Sequence, residues 1–429
     1  MIRVGFSKCS ISPDRPLDLW GYVERSGKST GRLDDLYVRV LVIQNRSKTS
    51  ILINFDLGGT GLEFVRTLKA YIKRKTGVSK RYIIVCSTHT HAAPAALFLR
   101  NCGAIDNDYL DFVKRQTLVA VMAAFDRVRR VRVGYGRGET DISVNRREKG
   151  VQSNRRQASG TVDPEIGVLR FSFDGDSRDI ILVNFAAHPV TLRADNHKVS
   201  ADYPGAVCRY IENELNADAI FLQGACADVN PKIFGTAAEM QQVGREIGQS
   251  AVTIARSISL QKLTKFEILP RKLFLSIETP PDCATLKQRI RQLRKMDNLE
   301  DQVWQLADLQ WAEELLDFLD SDNPAIPQKK AVNLQALKIA GILLVFVPGE
   351  IFVKTGLAIK KGEMADKICL VGYANDCSIG YLPTLDTIAN GGYEVNSAYK
   401  FYGLFHYGDD SEKRIRESVL QMIGQLRGN

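Results

Sequence analysis

Two of the five histidines in this 429-residue chain, His89 and His91, stand two positions apart directly behind the apolar run Tyr82 to Cys86. A neutral imidazole binds metal through a ring nitrogen, and the same ring gains or loses a proton near neutral pH. Residues two apart on an extended backbone point the same way, so the spacing predicts both rings on one side of a strand's carboxyl end. A polar strand end with satisfied histidines is the plainer alternative for such a pair taken alone. The same arrangement recurs, however. Five apolar runs end in a residue of catalytic type with Gly or Pro close by: at Asp56, at His89 with His91, at His188, at Asp228 with Asn230, and at Glu350. Carboxyl ends of strands in open α/β sheets gather at one edge, where loops form a crevice. Two or three histidines and a glutamate match the ligand set of a catalytic zinc, so the residues alone point to a mononuclear metal hydrolase.

Other side chains near these ends invite weaker readings. Asp56, Asp202 and Asp228 could orient ligand histidines as acceptors, or serve turns and helix caps. Tyr393, behind two glycines, could offer its hydroxyl to an oxyanion or simply pack. Cys226 neighbours the expected pocket as a candidate nucleophile or a buried thiol. His197 reads as a loop residue and His406 as a packed one.

The elements that must position these residues are strands and helices in alternation. Val4 to Ser10, Tyr37 to Gln44 and Ser50 to Asp56 read as strands, and Leu62 to Lys75 as a helix, so 50–94 forms a βαβ unit. Asp108 to Arg127 is an amphipathic helix. Val131 to Gly136 and Thr140 to Val144 are strand-like, and a basic loop runs from Arg147 to Gly160. Gly167 to Phe173 and Asp179 to Phe185 form a hairpin, followed by helix Ala206 to Leu215, strand Ala219 to Leu222 and helix Ala237 to Ser257. Leu286 to Leu319 has helical periodicity. Ala331 to Ile339 and Ile342 to Val347 pair around Gly341, Leu370 to Ala374 is a last strand, and Ser411 to Leu426 a terminal helix. The predicted fold class is α/β: a mixed central sheet or sheets flanked by helices, the active site at strand carboxyl ends, and an inserted helical segment near 284–320. Gly134 to Gly138 lacks the spacing and the following helix of a dinucleotide loop.

Composition bounds the rest. With 45% hydrophobic and 25% charged residues the chain is neither disordered nor fibrous. The net charge of +9, 58 basic against 49 acidic residues, is scattered and forms no nucleic-acid stripe. No apolar h-region opens the chain and no run is long enough for an integral membrane segment, so a cytoplasmic location is expected. The eight cysteines show no C-x-x-C pair, as in a reduced compartment.

Ser87-Thr-His-Thr-His91, Phe185-Ala-Ala-His188-Pro, Gly224 to Pro231, Pro348-Gly-Glu350 and Gly380-Tyr381 follow one another in an order that resembles the motif series of the neutral/alkaline ceramidase catalytic domain, over about residues 3–408. The resemblance implies one zinc ion per chain, held by His89, His188, Glu350 and Tyr381. It implies that His91 polarises the substrate or stands behind the ligands, and that Arg146 lines the site. Where the family has Gly-Asp-Val-Ser-Pro-Asn, this chain has Ala227-Asp228-Val229-Asn230-Pro231-Lys232. Asn230 can orient a substrate or donate a hydrogen bond but cannot form an acyl-serine. The expected catalytic group set is therefore His91, Arg146, Asn230 and Tyr393. The expected organisation is a single catalytic domain over 1–429, with a core of 1–260 and 330–429, a helical insertion at about 284–322, and no C-terminal immunoglobulin-like domain. The expected reaction is hydrolysis of an amide, ester or lactone in a small or lipid-like N-acylated substrate by metal-activated water. A metal-dependent phosphoesterase and a non-catalytic ceramidase-like binding protein are the alternatives, no nucleic-acid partner is expected, and a homo-oligomer is possible.

Overall fold

The computed structural model describes residues 2–147, 160–175, 178–361 and 367–427. Most of the basic loop expected after Arg147, and part of the turn after Phe173, lie outside these residues. The first sheet is built from β1 (Arg3–Ser10), β2 (Tyr37–Gln44), β3 (Thr49–Phe55), β4 (Ile83–Ser87), β5 (Arg129–Glu139), β6 (Glu165–Phe173), β7 (Ile180–Phe185) and β8 (Asp218–Gln223). Its path runs β8-β7-β6-β5-β1-β2-β3-β4, with Gln261–Lys262 added beside β5. The outer pairs β7 with β8 and β3 with β4 are parallel, and the pairs between them are antiparallel. The helix between β3 and β4 is α1 (Leu62–Thr76), so the βαβ unit is present.

A second sheet consists of β9 (Phe266–Ser276), β10 (Lys329–Ile339), β11 (Ile342–Phe346) and β12 (Ile368–Val371), in that order. Its inner residues, such as Leu337, Leu344 and Phe346, meet Leu41, Leu52 and Phe171 of the first sheet in one core. Alternation within a strand supplies both faces: Leu41 and Ile43 of β2 enter this core, while Val38, Val40 and Val42 pack under α1 and α2 (Asn107–Asp126). Helices α3 (Asp202–Leu215) and α4 (Ala237–Ser257) cover the rest of that outer face. The terminal helix Ser411–Arg427 covers the outer face of the second sheet. The layers are thus helix, sheet, sheet, helix, a mixed α/β architecture as expected.

Between β9 and β10 the chain leaves for α5 (Cys283–Leu293) and α6 (Val303–Leu319), which pack on each other around Leu286, Trp311 and Leu315. Salt bridges Arg289–Asp308 and Arg294–Glu313 join the two helices. The strand β9 was not foreseen. Pro270 interrupts its pattern, and a proline is tolerated because β9 pairs on one side only, with β10, at the end of the sheet.

Candidate metal centre

The first sheet curls, so that β8 at one end of its path touches β3 and β4 at the other. Residues 372–375 sew the gap. Gly372 N donates to Gln223 O (2.9 Å), Ser87 N to Tyr373 O (3.2 Å) and Asn375 N to Val85 O (2.7 Å). Loops that follow β4, β7 and β11 therefore meet at one place, which brings His89, His188 and Glu350 together from three distant stretches of sequence.

The two leading histidines do not owe their meeting to strand alternation. β4 ends at Ser87, and His89 turns out of the extended region at φ 70°, a conformation uncommon for a residue with a side chain. Thr88 N donates to Phe55 O (2.8 Å) and His89 N to Leu57 O (2.9 Å), which fixes that turn. The result is a convergence of three rings: His89 Nε2 lies 3.0 Å from His188 Nε2, and His91 Nε2 lies 3.3 Å from each. All three are buried, with His91 the most accessible at 9%. His91 and His188 line a cavity of about 1100 Å³.

What holds the rings is main chain, not carboxylate. His89 Nδ1 faces Gly58 O, and His188 Nδ1 faces Cys226 O at 3.2 Å. The expected aspartate acceptors are used elsewhere. Asp56 pairs with Arg39 (2.6 Å) and takes Tyr37 N (2.9 Å). Asp202 accepts from Thr191 and from Leu192 N (3.0 Å). Asp228 accepts from Val353 N (2.8 Å) and Asn145 Nδ2 (2.9 Å), and its own carbonyl takes Arg146 N (2.8 Å). Each ties loops to the scaffold, the turn-and-cap alternative of the sequence reading.

Aromatic rings complete the floor. Tyr373, itself at φ 53°, stacks on His89 with centroids 3.9 Å apart, and its hydroxyl reaches Cys226 Sγ (3.1 Å) and Glu350 Oε2 (3.4 Å). Trp20 stands edge-on to His89 and His91, and Tyr22 to His91. Two glycines permit this. A Cβ on Gly58 would fall 2.2 Å from Trp20 Cε3, and one on Gly21, at φ 108°, would fall 2.5 Å from His91 Nδ1. Buried Arg25 bonds His91 O (2.7 Å), Trp20 O (3.3 Å), Arg193 O (3.1 Å) and Ala194 O (3.3 Å). Sequence reading missed Trp20, Tyr22, Arg25 and Tyr373, whose meaning depends on partners up to 284 positions away.

Glu350 Oε2 lies 3.5 Å from His89 Nε2 and 3.9 Å from His188 Nε2, and its other oxygen takes the Tyr402 hydroxyl. Tyr381, on the short strand Tyr381–Leu382 paired with Glu350–Ile351, presents its hydroxyl to Arg146 Nη2 (3.1 Å). Glu394 neutralises Arg146 (3.0 Å) and also pairs with Arg147. Asn230 lines the cavity, and its Oδ1 is buried with no partner among the described residues. Tyr393 lines it as well, edge-on to Tyr381 and Trp304. His406 packs on Tyr399, outside the site.

A metal fits these donors for a reason internal to them. A carbonyl can only accept, so the Nδ1 of His89 and of His188 carries a ring proton, and in the neutral ring Nε2 is then the atom with the lone pair. Two lone pairs facing each other at 3.0 Å repel unless a cation lies between them. Burial, followed by the neighbouring His89, pushes His91 and His188 well below the ordinary histidine range, so both are neutral, the form that binds metal. Burial and the Glu350 carboxylate push the Tyr381 phenol well above its usual range. The Cys226 thiol is pushed up to about 12, chiefly by burial, which removes the thiolate a cysteine nucleophile needs.

Fold and site together define a hydrolase fold with a three-histidine cluster suited to metal. Residues 3–259 match the family described as neutral/alkaline non-lysosomal ceramidase, N-terminal, and the chain belongs to that family. The crystal structure of neutral ceramidase from Pseudomonas aeruginosa superposes with a TM-score of 0.74 at 19% identity, covering 100% of this chain and 74% of that one. A ceramidase complexed with C2 gives 0.73 at 18% identity, covering 100% and 75%. At such identities the likeness is one of fold. Among the described residues no helix is long and apolar enough to cross a membrane.

Proposed function

We propose that the chain is a zinc-dependent hydrolase that cleaves an amide, ester or lactone bond of a small or N-acylated substrate, acting as a single catalytic unit from its first strand to its terminal helix. One observation carries the reading: three buried imidazoles converge through Nε2 beside a cavity large enough for such a substrate. His89, His188 and Glu350 would hold the ion, with Tyr381 as the fourth group and its hydroxyl now kept by Arg146. A bound zinc supplies Lewis acidity and makes water nucleophilic near neutral pH.

The chain's own residues supply the rest. His91 faces the cavity, and as a neutral base it takes a proton at Nε2 and returns it to the departing amine. Arg146, fixed through Nε and Nη2 by Glu394 and Tyr381, lines the cavity and stabilises developing negative charge there. Asn230 Oδ1, lacking a partner among the described residues, accepts from a substrate N–H or hydroxyl, and the Tyr393 hydroxyl is placed to donate. In the net reaction water's oxygen stays on the acyl carbon, the C–N bond breaks, and the nitrogen leaves protonated. The phosphoesterase alternative calls for a second donor set, and among the described residues the three histidines are the one cluster of this kind.

The test is a panel of N-acyl amines and lactones with the zinc-loaded chain. Turnover lost to a chelator, restored by zinc and spared by a thiol alkylator is expected. A purified chain that takes up no zinc and cleaves nothing on the panel would sink the reading.

A further inference from the structure

Four cationic side chains line the cavity, and three of them have a carboxylate partner. Arg146 and Arg147 share Glu394, and Lys354 pairs with Asp386 at 2.6 Å. The fourth, Arg193, has no carboxylate partner among the described residues. It stacks on Phe234, its Cζ 4.9 Å from the ring centroid. Of the lining carboxylates without an Arg or Lys partner among the described residues, Glu24 is exposed, while Asp228 and Glu350 are buried and hydrogen-bonded within the site. The main chain that carries Arg193 is tied to the floor. Arg25 grips the carbonyls of Arg193 and Ala194 with one end and that of His91 with the other, and the Tyr22 hydroxyl bonds Leu192 O (3.0 Å). A guanidinium that lines a cavity, stacks on an aromatic ring and has no carboxylate partner among the described residues is suited to receive an anion, with a fork that matches carboxylate or phosphate. The wall built by Trp304, Leu99 and Phe401 is apolar.

Resting on the hydrolase reading above, we infer that the substrate is an N-acylated amine carrying an anionic headgroup, carboxylate or phosphate, bound by Arg193, with its acyl chain against Trp304, Leu99 and Phe401. Hydrolysis then delivers a fatty acid and a free anionic amine, the amino acid where the headgroup is a carboxylate.

The experiment uses the zinc-loaded full chain with N-dodecanoylglycine, N-dodecanoylphosphoethanolamine and neutral N-dodecanoylethanolamine, and reads both amine release and calorimetric binding. An advantage of about tenfold or more in kcat/KM for either anionic amide over the neutral one is expected, falling toward unity in Arg193→Gln and partly restored in Arg193→Lys. The arm with the larger advantage assigns the anion. A wild-type ratio at or below one, or a ratio untouched by Arg193→Gln in a protein of unchanged melting temperature, overturns the inference and leaves the hydrolase reading standing. Binding of the anionic amides that depends on Arg193 without cleavage of any amide supports the inference and defeats the hydrolase reading.

Discussion

Imidazoles and aspartates both stand where strands give way to loops or to a helix, yet the structure uses them in opposite ways. His89, His91 and His188 turn their Nε2 atoms toward one another, with main-chain carbonyls behind two of them. Asp56, Asp202 and Asp228 turn away and tie backbone or a buried arginine. The histidines are thus free of structural duty on the side that matters for chemistry, and the aspartates carry the loops on which the histidines ride. Activity and stability should separate accordingly.

The largest expected effect is on the imidazole side. His188→Ala should lower kcat/KM about 10³-fold or more and reduce the bound zinc measured by mass spectrometry, while the urea midpoint moves little. A variant that keeps both zinc and turnover would break the division. On the aspartate side, Asp56→Ala strands the Arg39 guanidinium in the core and should cost about 3–5 kcal/mol in urea melts. Turnover per folded molecule should hold within a few-fold, and a loss as deep as that of His188→Ala would erase the contrast.

Asp202 sharpens the comparison through pH. Burial, opposed by its hydrogen bonds, pushes its carboxyl up to about 6. A folded value above the ordinary 3.8 means that the native state favours the protonated form. The stability it contributes is complete below pH ~4 and is lost as pH rises through ~6, at most about 3 kcal/mol. Urea melts at pH 4.5 and 7 should show this slope in the wild type and its absence in Asp202→Asn. Smallest is Tyr373→Phe, which removes a hydroxyl between Cys226 and Glu350 but keeps the ring on His89. About 1 kcal/mol of stability and a several-fold change in kcat are expected, and a collapse of zinc binding would show that the hydroxyl holds Glu350 in place.

Much of the fold was legible because burial leaves a period in the sequence. Tyr37–Gln44 and Ala237–Ser257 coincide with their expected limits, as periodicity and, for the helix, the Thr236 and Glu239 capping box mark them. Strand β9 was hidden by Pro270, since an edge position relaxes the pattern that identifies a strand. The positions of His89, His188 and Glu350 at strand ends could be read from sequence, as could the presence of a crevice. Why they meet could not, because it depends on the curl of the sheet and the seam at 372–375, which leave no local signature. In the sequence Arg25 is one more charge between β1 and β2. Its four acceptors are carbonyls, and a carbonyl is anonymous in sequence.

The seam has a consequence beyond the site. A sheet ordinarily ends in a strand whose unpaired N–H and C=O groups can recruit another chain. Here the exposed side of β4 is occupied by 373–375, through the bonds at Ser87 and Val85 and the Cys86 to Ala374 bridge, and Gly372 covers the last residue of β8. The margin that carries His89 and His91 is thereby closed to strand addition over Val85 to Ser87. These bonds are all main chain to main chain, so the closure of this edge does not depend on what the histidines hold.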